Sequence, residues 1–320
     1  MSFSKEIKKE ILHNDFKSNS HLLSFLYGLF FSSAEFEVED NNVKNFTIIT
    51  DLNFLADFLK NFLKRLYNSS NIICVPCYKI SDMQYYKIQI EDNLAKQILL
   101  DTKIISKHNN KIVLNEVIDE KNILDIQNLK SFVSGAFIGC GTSSIKLENS
   151  NRTTTGYHIE LSNPNYSLLR TVLDVLAEFE ILAKLTQRKN IYVLYIKDAE
   201  AVSNMLAFMG ASDAVLKLQN EIITRQMRNK INRQNNCFTS NFTKTLNASF
   251  KQLDAINLID KKIGLNELPE DLQQVALLRL ANTEESLDEL LKLSKYQMTK
   301  SALNHRLNKI IKLAQKLKEE

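Results

Sequence analysis

One pattern of apolar and strand-like segments occurs twice in the first two-thirds of this chain, and it constrains the fold more than any other feature. The first copy opens on His21-Leu22-Leu23-Ser24-Phe25-Leu26-Tyr27-Gly28-Leu29-Phe30-Phe31-Ser32-Ser33-Ala34, an apolar helix with a glycine inside it. Strand-like sequence follows to Ile49. A helical segment from Asp51 to Tyr67 comes next, then strands near Ile72–Ile80 and Tyr85–Ile90 and a helix from Asp92. The second copy opens on Leu129-Lys130-Ser131-Phe132-Val133-Ser134-Gly135-Ala136-Phe137-Ile138-Gly139-Cys140-Gly141-Thr142. It continues with a strand at Tyr157–Leu161 and a helix from Pro164, a favoured first helical residue, to Phe179. Strands at Ala183–Arg188 and Ile191–Ile196 and a helix from Asp198 to Met209 complete it. Each copy reads α-β-β-α-β-β-α. The order predicts an α+β domain over residues 1–220, with repeats at about 1–105 and 125–220 and two antiparallel sheets related by a pseudo-two-fold axis.

The glycines say how the halves meet. A glycine inside an apolar helix costs about 1 kcal/mol relative to alanine. Close approach of two backbones is the usual compensation. Gly28 and Gly135 hold equivalent places, so the two helices are expected to pack on each other at the centre of the domain. Gly139 and Gly141 mark the end of the second helix.

Charge separates the rest of the chain from this domain. The net charge is +4. From Glu221 to Glu320 there are 17 Lys and Arg against 12 Asp and Glu, so the whole basic excess lies there. It concentrates in two windows without acid, Ile222–Leu253 and Leu290–Lys318. Uncompensated positive charge is what binds phosphate, and a nucleic-acid partner would be gripped in these windows. No apolar run reaches the roughly eighteen residues of a membrane span. The N-terminus is a charged helix start without a signal peptide's apolar stretch, and a cytoplasmic, nucleoid-associated protein is expected.

The last thirty-five residues read as a helix-turn-helix at 286–318. Ser286 stands at an N-cap with Glu289 three residues on, and Leu287–Ser294 is a short amphipathic helix. Lys295–Met298 form a tight polar turn, and Thr299 caps a second helix. Leu303, Leu307, Ile310 and Ala314 make its buried stripe. The opposite face offers Lys300, Ser301, Asn304, His305 and Asn308 for base edges, and Arg306, Lys309 and Lys312 for phosphates. Before this domain, assigned to 236–320, residues 221–235 read as a basic linker. Arg225, Arg228, Lys230 and Arg233 there, and Lys244 just beyond it, are candidate phosphate contacts. A polar interdomain hinge whose asparagines cap helices is the other reading of the same residues.

The four cysteines add no site of their own. Cys74-Val75-Pro76-Cys77 has metal or redox spacing, but no second pair and no nearby histidine completes four zinc ligands. The pair falls in a strand, where a thioredoxin-like site would need a helix start. Two ordinary thiols are the expectation, with no catalytic residue, metal or cofactor assigned.

Two resemblances follow from these residues. The duplication with glycine-bearing central helices resembles the LAGLIDADG homing endonuclease fold, and Val133-Ser134-Gly135-Ala136-Phe137-Ile138-Gly139-Cys140-Gly141 overlays the nine-residue motif. The resemblance implies a metal-binding acid at its eighth position, but here that position is Cys140, and Ser33 in the first copy. Glu35 lies two residues on, and a single displaced carboxylate does not replace a symmetric pair. Met227-Arg228-Asn229, Asn232-Arg233, Asn236-Cys237, Ser240-Asn241 and Lys244-Thr245 resemble the signature of the WhiA family of bacterial transcription regulators. Lys261-Lys262-Ile263-Gly264-Leu265, Leu268-Pro269, Lys300–Leu307 and the start Met1-Ser2-Phe3-Ser4 continue it. This resemblance implies a degenerate LAGLIDADG domain tethered to an all-α helix-turn-helix domain similar to sigma-factor region 4. It implies transcription control, linked to sporulation or to cell division and chromosome segregation. The expected activity is sequence-specific binding of double-stranded DNA without catalysis, with another transcription regulator or RNA polymerase as a further partner. An active metal-dependent endonuclease and a non-catalytic platform for other regulators are the rival classes.

Overall fold

A computed structural model describes residues 2–39, 42–69, 72–80, 83–108, 111–115, 117–119, 123, 125–145, 156–294 and 297–319. The chain divides into two units, Met1–Thr224 and Arg225–Glu320. In the first, α1 (Phe3–His13) precedes the first repeat. That repeat comprises α2 (Asn19–Ser33), β1 (Ala34–Glu39), β2 (Asn42–Thr50), α3 (Leu55–Tyr67), β3 (Ile73–Ile80), β4 (Met83–Glu91) and α4 (Asp92–Asp101). A hairpin, β5 (Ile105–His108) and β6 (Lys111–Leu114), follows it. The second repeat comprises α5 (Ile126–Cys140), β7 (Gly141–Ser143), β8 (Ile159–Asn163), α6 (Tyr166–Glu178), β9 (Lys184–Arg188), β10 (Ile191–Ile196) and α7 (Ala199–Phe208). The two four-stranded sheets have the same order, β1-β2-β4-β3 and β7-β8-β10-β9, and every pairing is antiparallel. The α+β duplication expected from the sequence is therefore the observed architecture.

The alternation that makes these strands also sets their faces. In β8, Ile159, Leu161 and Asn163 point inward while Glu160 and Ser162 point out. Leu161 pairs with Leu194 and Ile159 with Ile196, so both inward rows are apolar. At the centre, α2 crosses α5. A Cβ on Gly28 would lie 2.1 Å from the Phe132 carbonyl oxygen, and one on Gly135 would lie 2.0 Å from that of Phe25. The two glycines thus admit each other's helix backbone. Phe16, Phe25, Phe58 and Phe62 fill the space beside this crossing with edge-on ring contacts, Phe16 lying 5.1 Å from Phe25 and 5.0 Å from Phe62.

Several boundaries differ from the sequence expectation, each for a local reason. α3 begins at Leu55, not Asp51, because the Thr50 hydroxyl accepts from the Leu52 N–H and residues 51–54 form a turn. α6 begins after Asn165, whose side chain caps the Leu168 N–H at 3.1 Å, so Pro164 stands before the helix. Gly139 does not end α5. It lies inside the helix, where a Cβ would meet the Ser32 hydroxyl at 2.0 Å, and Gly141 follows as the C-cap.

The largest difference concerns residues 221–235. The division between the two units falls inside this segment, which is helical throughout. It belongs to α8, which runs from Ser212 to Lys262. No glycine or proline occurs within it to break the helix, and Gly264, at φ +85°, ends it. The second unit accordingly begins at Arg225, not at residue 236.

Beyond α8 come a short 3-10 turn (Leu265–Glu267), α9 (Glu270–Ala281), α10 (Leu287–Leu293) and α11 (Lys300–Glu319). Ile256, Ile259, Leu272, Val275, Leu290, Leu303, Leu307 and Ile310 form the core of this unit. Every residue of α8 from Gln226 to Lys244 is exposed, whereas Leu218 upstream and Ile256 and Ile259 downstream are buried. Helix without tertiary burial opens readily. Amide hydrogen exchange on the free protein is therefore expected to be faster across residues 226–244 than at either end of α8. Uniform slow exchange along the whole helix would contradict this reading.

Candidate nucleic-acid interface

The first helix of the expected helix-turn-helix is α10, and its start is closed by a full capping box. The Ser286 hydroxyl accepts from the Glu289 N–H at 3.3 Å, and the Glu289 carboxylate accepts from the Ser286 N–H at 3.1 Å. Hydrogen bonds from the Ser286 backbone and side chain hold the Glu289 carboxyl below its usual range. The second helix is α11. The Thr299 hydroxyl accepts from the Ala302 N–H at 3.2 Å, as its capping position predicts. Lys295 and Tyr296, in the expected tight turn, lie outside the described residues.

Leu303, Leu307, Ile310 and Ala314 are buried along α11. Lys300, Ser301, Asn304, His305, Asn308, Lys309 and Lys312 are exposed. The structure thus brings the expected groove-facing residues together on a single helix face. Two cations behave differently from the rest. Lys300 Nζ lies 2.5 Å from Asp288 Oδ2 on α10, an exposed pair that phosphate could displace at small cost. Arg306 is half-buried. Its Nε donates to Asp271 Oδ2 at 3.2 Å and its Nη1 lies 3.5 Å from Met298 Sδ, so it joins α11 to α9.

Arg279 is a positioning residue that the sequence reading passes over. It is 2% exposed, and its Nη1 donates to the carbonyls of Asn282 at 3.0 Å and Glu285 at 2.8 Å. It thereby ties down the loop that delivers α10. The signal was present: Arg279 falls on the buried spacing set by Leu272, Val275 and Ala276, where a lone cation needs an internal acceptor.

On α8, Arg228, Lys230, Arg233 and Lys244 are exposed and Arg225 is partly so. Helical periodicity places Arg225, Arg233 and Lys244 on one face with Asn229, Asn232, Asn236 and Ser240, and Arg228 and Lys230 at its margins. In the first unit the balance is opposite along the sheet edge. Glu35, Glu37 and Glu39 are exposed on β1, and Lys44 pairs with Glu39 at 3.1 Å.

The helix ends where a homing endonuclease would hold metal carry other groups. Ser33 Oγ donates back to the Leu29 carbonyl at 2.7 Å, and Asn163 Nδ2 donates to the Ser32 carbonyl at 2.7 Å. Burial pushes the Cys140 thiol up to about 12, partly opposed by the nearby Lys8 charge. Lys8 Nζ donates to the Ile138 carbonyl at 2.9 Å, and burial lowers it to about 8. Glu35 is exposed on β1. An ammonium, a neutral thiol and a serine hydroxyl do not fit a hard divalent cation, which takes carboxylate oxygens. No group of three or more His, Cys, Asp or Glu side chains placed to hold a metal ion occurs among the described residues. Cys74 and Cys77 both lie in β3, half-buried and exposed respectively, as free thiols.

The lowered Lys8 gives a pH signature. The unfolded chain keeps this proton to about pH 10.4, while the folded chain gives it up from about 8. Between these values the unfolded state binds more protons, so this group makes the fold more stable as pH rises. Lys8→Met removes that contribution. The melting-temperature difference between parent and Lys8→Met should shift in the parent's favour from pH 8 to 10.4. A difference that stays constant over this range would contradict the assignment.

Both units of the chain have counterparts among known proteins. Residues 129–228 match the WhiA LAGLIDADG-like domain and residues 231–314 the WhiA C-terminal HTH domain. A probable cell division protein WhiA from Clostridium acetobutylicum is 35% identical over 100% of this chain and 99% of its own length. Its namesake from Clostridium novyi is 31% identical over the same shares of both chains. A crystal structure of full-length WhiA from Thermotoga maritima matches with a TM-score of 0.57 at 26% identity, covering 99% of each chain.

Proposed function

The chain belongs to the WhiA family of LAGLIDADG-like, helix-turn-helix proteins, and from that premise we propose that it is a sequence-specific DNA-binding transcription regulator. The observation that carries the proposal is the exposed face of α11. It presents Ser301, Asn304, His305, Asn308 and Lys309 without an acid between Leu290 and Lys318, on a helix whose other side is locked into the core. In a major groove, Ser301, Asn304, His305 and Asn308 read base edges. Lys309 and Lys312 contact phosphates, joined by Lys300 once Asp288 releases it. The Arg225, Arg233 and Lys244 face of α8 adds phosphate contacts, with Arg228 and Lys230 at its margins. Arg306 acts first through Asp271, holding α11 in place.

The regulator works in the cytoplasm, on the nucleoid, and its relatives' names point to cell division as the process it serves. No helix among the described residues is long and apolar enough to cross a membrane. Another transcription regulator or RNA polymerase is the further partner. The first unit takes no part in strand cleavage, because Ser33 and Cys140 stand where carboxylates would have to hold metal. The test has two arms. Footprinting with the full chain alone should protect discrete sites, and incubation of the bound duplexes with magnesium or manganese should leave both strands intact. Uniform protection would overturn sequence-specific binding. Cleavage that EDTA abolishes, from a nuclease-free preparation, would overturn the non-catalytic reading.

A further inference from the structure

The exposed middle of α8 has two unlike faces, and only one of them suits DNA. Met227, Ile231, Phe238 and Phe242 follow one another at intervals of four, seven and four residues, which aligns them along a single helical stripe. They are 62%, 54%, 72% and 51% exposed. The rings of Phe238 and Phe242 lie parallel, 6.2 Å apart. The stripe lies on the side of the helix away from Arg225, Asn229, Asn232, Arg233 and Asn236. A contiguous apolar ridge on an otherwise polar, exposed helix is the kind of patch that marks an interaction site. The helix also lacks intrinsic reasons to persist here, since Asn232, Asn235, Asn236 and Asn241 are poor helix formers and no side chain of the stretch is buried. A bound partner would supply the missing burial.

Charge selects the kind of partner. Arg228 and Lys230 edge the stripe, and no acidic residue occurs from Ile222 to Leu253. The DNA backbone would find no partners on the apolar ridge, because phosphates need cations and donors. A second copy would set this acid-free segment against itself, with like charges at both margins. A helix with an apolar ridge bordered by Asp and Glu satisfies both features.

We propose that the Met227–Phe242 face of α8 docks an acidic amphipathic helix of another protein, leaving the opposite face for DNA. The test places a photo-crosslinking benzoylphenylalanine at position 238, and separately at 242, of the full chain in the cells that make it. Crosslinked peptides are then sequenced by mass spectrometry. The expected adduct is a helical segment of a second protein with acidic residues beside its apolar positions. That segment, made as a labelled peptide, should bind the purified full chain, and Phe238→Ser with Phe242→Ser should weaken it roughly tenfold or more. The same variant should bind duplex DNA within about twofold of the parent, because the stripe faces away from the basic residues. Adducts with DNA, with another copy, with the chain's own first unit or with a protein segment lacking acids would overturn the proposal. So would the absence of any adduct, or a peptide that binds the variant as tightly as the parent.

Discussion

Alanine at Gly135 is expected to destabilise the first unit by about 3 kcal/mol, lowering its melting transition by roughly 6–12 °C. The added methyl would sit 2.0 Å from the Phe25 carbonyl oxygen and 2.8 Å from the Leu29 nitrogen. Both are backbone atoms, so no rotamer change relieves the contact and α2 must move away from α5. The rings of Phe25 and Phe132 are fully buried near this crossing and would lose packing as the helices part. Alanine's better helix propensity returns only about 1 kcal/mol, which does not offset that loss. Gly28→Ala should behave alike, because its methyl would lie 2.1 Å from the Phe132 carbonyl oxygen. Gly156→Ala serves as the control, since nothing lies within 4 Å of its would-be Cβ. Differential scanning calorimetry of the three variants checks the idea. A Gly135→Ala protein that melts with the parent would mean that the central helices do not meet through their glycines.

The parts of this molecule legible in its sequence are those governed by short-range rules. Gly28 and Gly135 announced a close helix crossing because two glycines at matching places in apolar helices are usually offset by close backbone approach. Ser286 with Glu289, and Thr299, announced the starts of α10 and α11 because side-chain caps act within three residues. The spacing of Leu303, Leu307, Ile310 and Ala314 gave the buried side of α11, and with it the face left for a ligand. What was not legible depended on distance or on weak local preference. β7 is three residues long, too short to show alternation, so the second copy's α-β-β-α-β-β-α order counted this strand without locating it. The asparagine-rich stretch around Asn229–Asn236 has the composition of a linker, yet in the absence of glycine and proline it continues the helix that its buried ends begin. Arg306 reads as a free cation in sequence, because Asp271, which it meets, is 35 residues away in the chain. Arg279 similarly finds acceptors only once the loop before α10 folds over it. In the candidate interface, then, the exposed side of α11 was accessible to periodicity, while the ion pairs at Lys300 and Arg306 were not.

α11, the proposed recognition helix, makes the second large prediction, and it bears directly on the central claim. Asn304 lies one turn beyond Lys300 and Ser301, on the exposed side of α11 away from Leu303 and Leu307. Asn304→Ala should cost roughly 1–3 kcal/mol on the specific site and reduce discrimination between sites. Lys309→Ala should weaken specific and random duplexes about equally and lower the salt slope by about one ion. Leu307 is fully buried, so Leu307→Ala acts through the fold. It should destabilise the second unit by roughly 2–5 kcal/mol and abolish both kinds of binding together. The decisive measurement is a salt titration of binding to specific and random duplexes for the parent, Asn304→Ala and Lys309→Ala. The account predicts lost discrimination in the first variant and a shallower slope in the second. Specific binding left unchanged by both substitutions would contradict it, and would move the reading surface from α11 to the basic face of α8.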